Sequence, residues 1–140
     1  MRSIFMRVTC VMALSGCAAW SPSEQLTSIS VVDILSTPLD FDGKIVTIKG
    51  WASLRREDYG IWATEDDYKK RNWRRCISLL NHYSDESKNK EFDRSLVLTN
   101  GVFSNDIFHN EKGVEIVRLG TCSRFGIRFV EPDGLKKIQN

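Results

Sequence analysis

The densest group of chemically capable side chains lies between residues 65 and 75. Trp73 has five cations beside it, namely Lys69, Lys70, Arg71, Arg74 and Arg75. Such cations beside an aromatic ring suit a phosphate, an acidic glycan or a lipid headgroup. The preceding acids Glu65, Asp66 and Asp67 can neutralise them, and exposed pairs of this kind contribute only about 0–1 kcal/mol each. We therefore predict a solvated, charge-balanced loop, with a binding surface as the alternative.

Side chains typical of hydrolytic enzymes do not form a motif in this chain. His82 and His109 lie in polar segments, without a partner at ligand or triad spacing. The sequence has no Gly-x-Ser-x-Gly, no His-Glu-x-x-His and no phosphate loop. Two carboxylates would suffice for a glycosidase-like reaction, and the candidates are Asp58, Glu65, Asp66 and Asp67. Nothing selects a pair among them, so we expect no catalysis, no metal and no cofactor.

The first seventeen residues have the pattern of an export signal. Arg2 and Arg7 precede an apolar run from Val8 to Leu14, and no acid occurs among them. The run is too short to cross a hydrocarbon core of about 30 Å, which needs about 20 helical residues. It ends in Leu14-Ser15-Gly16-Cys17, which resembles the lipobox of bacterial lipoproteins. The alternatives are a secretory signal that happens to end in Cys and an uncleaved apolar N-terminus.

The lipobox resemblance implies cleavage before Cys17 and an anchor on its sulfur. Each buried acyl methylene contributes about 0.8 kcal/mol, and more than one chain makes membrane attachment long-lived. Ala18, where some lipoproteins have Asp, resembles the signal for outer-membrane residence. Residues 18–28 have no periodicity and predict a tether that holds the domain roughly 15–20 Å from the anchor. We therefore expect a protein on the periplasmic side, at the outer rather than the inner membrane.

The charge balance argues against nucleic acid as a partner. Without Arg2 and Arg7 the mature chain has eighteen basic and eighteen acidic residues. A neutral body produces no long-range field that would attract nucleic acid. The mature part, about 123 residues, is the size of one domain and can bury its own core.

Two cysteines remain after Cys10 leaves with the signal and Cys17 is acylated. In an oxidising compartment we expect Cys76 and Cys122 to form a disulfide. Closing a loop of about 47 residues would restrict the unfolded chain by roughly 4 kcal/mol. The alternatives are two free thiols or half of a metal site, although no Cys-x-x-Cys spacing or nearby histidine pair supports a metal.

The remaining pattern predicts a small β domain. Ser30 and Asp33 begin a short helix at 30–36, which Pro38 ends. Alternation of apolar and polar residues predicts strands from Lys44, at 59–64, at 76–80 with Ile77 and Leu79 inward, at 95–103 and within 114–130. The polar segment 81–94 predicts a surface helix or a long loop. Three strands, a polar element and two or three further strands follow the order of an OB-fold barrel.

Three segments strengthen this interpretation by resemblance. "PLDFDGKIVTIKG" (38–50), "YGIWATEDDY" and "SLVLTNGVF" are similar to small exported proteins with an OB-like barrel. In those proteins a helix and an Asp-Gly-Lys turn lead into a first strand that ends in Gly. The chain departs from them by adding Cys76 and Cys122. We predict a mainly β, OB-like barrel of five to six strands over 29–140, with a short N-terminal helix and a polar helix or loop between strands three and four.

OB barrels that bind single strands present aromatic side chains on strands two and three. Trp51 and Trp62 would form such a platform, and packing against the barrel is the alternative. We expect a non-catalytic module that binds a protein, a glycan or another envelope component. The predicted contact surface contains Trp62, Glu65, Trp73 and Arg74, because the connection after strand two combines aromatic and charged groups. An envelope hydrolase of glycan or phosphate esters and a periplasmic inhibitor or immunity protein remain as alternatives.

Overall fold

The computed structural model describes residues 27–55, 58–108, 122–130 and 134–138. The predicted signal peptide (1–17) with Cys17, the predicted tether up to residue 26, and His109 lie outside the described residues. Within the described ranges, no helix has the length and apolar character needed to span a membrane.

The described residues form seven strands and three helices. In chain order they are β1 (Ile29–Ser30), α1 (Val31–Ser36), β2 (Ile45–Arg55), β3 (Asp58–Trp62), α2 (Glu65–Lys69), β4 (Cys76–Leu79), α3 (Glu86–Phe92), β5 (Ser95–Ser104), β6 (Gly126–Phe129) and β7 (Leu135–Lys137). Single 3₁₀ turns occupy Pro38–Asp40 and Trp73–Arg75.

Five of these strands close into a barrel in the order β2, β3, β4, β6, β5 and back to β2. β4 and β6 run parallel, and the other barrel pairs are antiparallel. β1 pairs in parallel with β2. β7 pairs antiparallel with β5, on the edge of β5 opposite to β2. The prediction of a mainly β, OB-like barrel is confirmed, with α3 as the polar helix between the third and fourth barrel strands.

Alternating side chains of the barrel strands point inward and form the core. Ile48, Ile61, Ile77, Val97 and Ile127 are all 0 % exposed. Burying each such side chain contributes about 1.5–3 kcal/mol, so the strands are held mainly by this shared interior. Leu79, predicted to face inward together with Ile77, is also part of the core.

Helix α1 packs on the barrel through Val31 and Ile34, which are both buried. Its start is fixed by Ser30, whose hydroxyl oxygen accepts a hydrogen bond of 3.1 Å from the Asp33 amide. A side-chain cap of this kind satisfies one of the amides that the first helical turn leaves unpaired. The helix predicted at 30–36 is therefore confirmed.

The resemblance implied a first strand that ends at Gly50, and this expectation is wrong. β2 continues to Arg55, and Gly50 lies in its middle. A Cβ atom at position 50 would overlap the Ile61 side chain and lie 2.7 Å from the Trp62 carbonyl oxygen. Gly50 is required because β3 approaches the backbone here, not because the strand stops.

Two asparagine side chains in the polar segment after β4 form hydrogen bonds with backbone groups of the fold. The Asn81 amide group donates to the Phe129 carbonyl at 3.0 Å, and its oxygen accepts from the Phe129 amide at 2.9 Å. Asn89, on α3, is buried and makes the same two kinds of bond to Tyr83 at 2.8 and 3.1 Å. These side chains replace strand pairing where the chain leaves the sheet.

Candidate functional site

The candidate site lies on the outer face of β2, β3 and β4. Trp51 is opposite Trp62, and Trp62 is opposite Cys76, so the three side chains form one row across the strands. Their inward neighbours Ala52, Ile61 and Ile77 belong to the core, so this row faces out of the barrel. In OB folds the face of strands two and three is the place where ligands bind.

In this protein the chain covers that face with its own residues. Trp62 is 0 % exposed, and its ring lies 5.6 Å from the Tyr68 ring and 5.2 Å from the Trp73 ring, measured between centroids. We call residues 65–75, which comprise α2 and the 3₁₀ turn Trp73–Arg75, the cap. Because the cap buries Trp62, this residue does not belong to the accessible part of the predicted contact surface.

A disulfide between Cys76 and Cys122 lies beside the cap, with a Cα–Cα distance of 5.3 Å. This separation is within the range that native disulfides span. A Cβ atom at position 60 would overlap the Cys122 sulfur, so Gly60 leaves the space in which the disulfide packs on β3. The Ser78 hydroxyl accepts a hydrogen bond of 2.9 Å from the Cys122 amide and fixes the second cysteine to β4.

Local sequence sets the shape of the cap. Thr64 caps α2, because its hydroxyl oxygen accepts a hydrogen bond of 3.0 Å from the Asp67 amide. The buried Asp67 carboxylate accepts hydrogen bonds from the Thr64 hydroxyl at 2.6 Å and from the Asn72 side chain at 3.0 Å. Arg71 adopts a left-handed backbone with φ 54°, which reverses the chain toward β4. The segment is therefore helical, where the sequence predicted a loop.

The predicted charge balance of this segment is observed. Lys69 pairs with Glu65 at 2.8 Å, Lys70 with Asp66 at 2.7 Å, and Arg75 with Asp67 at 3.6 Å, while Arg71 pairs with Asp58 on β3. The hydrogen bonds that Lys70 and Arg71 donate to their carboxylates raise the pKa of both cations. Among the described residues, Arg74 has no carboxylate partner, so its full charge is available at the surface.

Three of the four predicted contact residues are accessible on the cap. Trp73 is 44 % exposed, and Glu65 and Arg74 are also exposed. The Arg71 guanidinium lies 5.7 Å from the Trp73 ring centroid and 5.1 Å from that of Tyr68, within the range of cation–π contacts. The Trp73 ring is therefore held in place beside Arg74, which has no carboxylate partner among the described residues.

A groove of about 300 Å³ adjoins the cap, and no sequence motif predicted it. Its lining residues are Trp51, Glu65, Tyr68, Lys69 and Arg94. The Trp51 indole nitrogen is buried and has no hydrogen-bond partner among the described residues. Arg94 follows α3 and reaches the groove through a left-handed backbone with φ 53°. Its backbone amide donates a hydrogen bond of 3.0 Å to the Ala52 carbonyl, which holds it in this position. Aromatic walls with a few charged groups are typical of small-ligand sites.

The carboxylates considered for hydrolysis are each neutralised by a neighbouring cation. Each of Asp58, Glu65, Asp66 and Asp67 is bound to a different cation of the cap. In the described part of the chain, no three His, Cys, Asp or Glu side chains are grouped so that they could hold a metal ion. His82 is exposed and stacks on Tyr59 with a centroid distance of 5.0 Å.

Comparison with protein-family models, with curated proteins and with solved structures gave no match. The resemblances to lipoproteins and to small exported barrel proteins stay predictions.

Proposed function

We propose that this protein is an envelope lipoprotein, anchored through acyl chains on Cys17, whose barrel binds a protein or another envelope component without catalysis. The lipobox-like end of the N-terminal segment supports the anchor and the periplasmic side, and Ala18 supports the outer membrane. The observation that carries the binding role is the exposed Trp73 beside the unpaired Arg74 on the cap.

Three properties of the cap support this role. The OB ligand face beneath it is filled by Trp62, so a partner has to approach the cap itself. Tryptophan and arginine are the residues that most often dominate binding energy at protein interfaces. The packing of Trp73 on Trp62 and the hydrogen bonds of Asp67 fix this surface before binding, which reduces the entropy cost of association.

The test is photocrosslinking in intact cells with a photoreactive residue in place of Trp73. We expect one saturable adduct, and we expect Arg74→Glu to reduce its yield. Loss of a hot-spot side chain weakens binding by about 2 kcal/mol or more, which is roughly 30-fold. The matched control is the same photoreactive residue at Val102, which is similarly exposed at 38 % but lies on β5, away from the cap.

Protein adducts that form equally at positions 73 and 102, or an adduct at 73 that Arg74→Glu leaves unchanged, would exclude the cap as the binding surface. The anchor is tested separately by the mass of the N-terminal peptide and by membrane fractionation of Cys17→Ser. A mature peptide that begins elsewhere, or a wild-type protein that does not sediment with membranes, would remove the lipoprotein assignment.

A further inference from the structure

The outer face formed by β2, β5, β6 and β7 differs from the capped face. Its cross-strand pairs combine apolar and basic residues: Ile45 with Val102 and Arg128, and Lys49 with Leu98 and Lys136. Among these strands, which are all described, there is no Asp or Glu. We call these side chains the basic face, because none of its four strands contributes a carboxylate to balance its cations.

Apolar side chains are exposed on the basic face. Ile45 is 69 % and Val102 38 % exposed, and Val130, directly after β6, is 52 % exposed. Lys49, Arg128 and Lys136 are exposed as well. Aliphatic groups surrounded by cations are typical of surfaces that rest on anionic lipid headgroups, because the cations meet phosphate while the aliphatic groups enter the interface.

The described chain enters β1 from the end of the barrel at which Ile45 lies. Ile29 is level with Ile48 and Ser30 with Lys49 in a parallel pair, so Thr27 and Ser28 lie on the side of Ile29 that is nearer to the level of Ile45. Leu39, in the 3₁₀ turn that precedes β2, is 78 % exposed near this end. The tether predicted at residues 18–28 would span roughly 15–20 Å, so the proposed anchor would keep the domain within reach of the bilayer.

We infer that the basic face is the membrane-facing surface of the anchored domain and that it binds anionic phospholipid headgroups. This inference rests on the proposed acylation of Cys17, and it adds an orientation to that anchor. The lipid occupant follows from charge complementarity and from the end of the barrel at which the anchored chain enters.

The test uses the full-length acylated protein in vesicles of phosphatidylethanolamine and phosphatidylglycerol, with a photoreactive residue at Val102. We expect lipid adducts at position 102 and few at the equally exposed control position Val32. We expect Lys49→Glu with Arg128→Glu to lower the adduct yield at 102 at least about five-fold, since each cation near an anionic surface is worth about that factor. The matched control is Lys88→Glu with Lys90→Glu on α3, which changes the net charge equally and should leave the yield unaltered.

Equal lipid adducts at positions 102 and 32, or no effect of the Lys49 and Arg128 reversal, would overturn the inference. The same holds for a protein adduct at 102 in intact cells, and for equal yields in vesicles of phosphatidylcholine alone. Lys49→Gln with Arg128→Gln provides a milder variant if charge reversal impairs folding. A protein that is acylated but gives no lipid adduct at 102 refutes this orientation alone, whereas an unacylated protein refutes the proposed anchor.

Discussion

Removal of the Cys76–Cys122 disulfide should destabilise the domain strongly. The two cysteines are 46 residues apart, and in the chain-entropy model closing such a loop stabilises the folded state by about 4 kcal/mol. Both side chains are buried beside Gly60 and Trp62, so replacing them with alanine also removes packing worth about 1 kcal/mol. Cys76→Ala with Cys122→Ala should therefore lose about 5 kcal/mol, a large share of the 5–15 kcal/mol typical of domains.

Equilibrium unfolding in urea, followed by tryptophan fluorescence, measures this loss. With a slope of about 1–3 kcal/mol per molar urea, the midpoint should fall by roughly 2–5 M. The wild-type protein with its disulfide reduced is the matched control, because it loses the loop constraint and retains both sulfurs. It should lie about 1 kcal/mol above the double variant.

Two results would refute this reasoning. A double variant that loses less than about 1 kcal/mol would show that the loop constraint does not act on the unfolded chain as calculated. A reduced wild type as stable as the oxidised protein, beside a strongly destabilised double variant, would assign the whole effect to packing on Trp62.

Three further changes test the local arguments. Gly60→Ala should lower the unfolding free energy by about 1–3 kcal/mol, because the added methyl group crowds the disulfide. Gly43, with φ +71°, has open space around it, so Gly43→Ala should cost only about 1 kcal/mol. Equal losses for the two variants in urea unfolding would contradict the crowding. Asn81→Ala should lower the unfolding free energy by about 2 kcal/mol, because it removes the partners of a backbone amide and carbonyl, and a thermal midpoint unchanged from wild type would argue against this. Asp85 is the N-cap residue of α3, and hydrogen bonds from the Ser87 hydroxyl and amide lower its pKa. The charged Asp85 carboxylate should therefore stabilise α3 above about pH 4, and this stabilisation should be lost as pH falls through the folded-state pKa. Ser87→Ala should raise the pKa of Asp85 in an NMR titration, and an unchanged value would exclude the hydroxyl as the cause.

The barrel could be predicted from the sequence because its information is local. Alternation in β2 and β5 gave the inward face, and Ser30 with Asp33 gave the start of α1. The order of strands around the polar segment then restricted the topology to an OB-like barrel. The pairing of Cys76 with Cys122 followed from chemistry, since Cys10 was expected to leave with the signal and Cys17 to be acylated.

The cap could not be predicted because it depends on contacts between distant segments. Alternation shows that Trp62 points out of the barrel, but it cannot show that Tyr68 and Trp73 will cover that indole. The acids at 65–67 predicted solvation, yet Asp67 is buried by its bonds to Thr64 and Asn72. A charged residue is counted as exposed unless its partners are known, and here the partners are set by the fold.

The small net charge of the chain, +2, conceals two different surfaces. On the cap, every cation except Arg74 is paired with a carboxylate, so a partner meets one free guanidinium beside Trp73. On the basic face, Lys49 and Arg128 have no carboxylate on the strands around them.

These surfaces lie on different parts of one closed barrel. The cap covers β3, β4 and the Trp51 end of β2, whereas the basic face is centred on β5 and the Ile45 end of β2. A domain whose basic face rests on the bilayer therefore directs Trp73 away from it. Substitutions on separate surfaces with no shared partners act additively. Reversal of Lys49 and Arg128 should thus reduce the lipid adduct at 102 without affecting the adduct at 73, and Arg74→Glu should do the opposite.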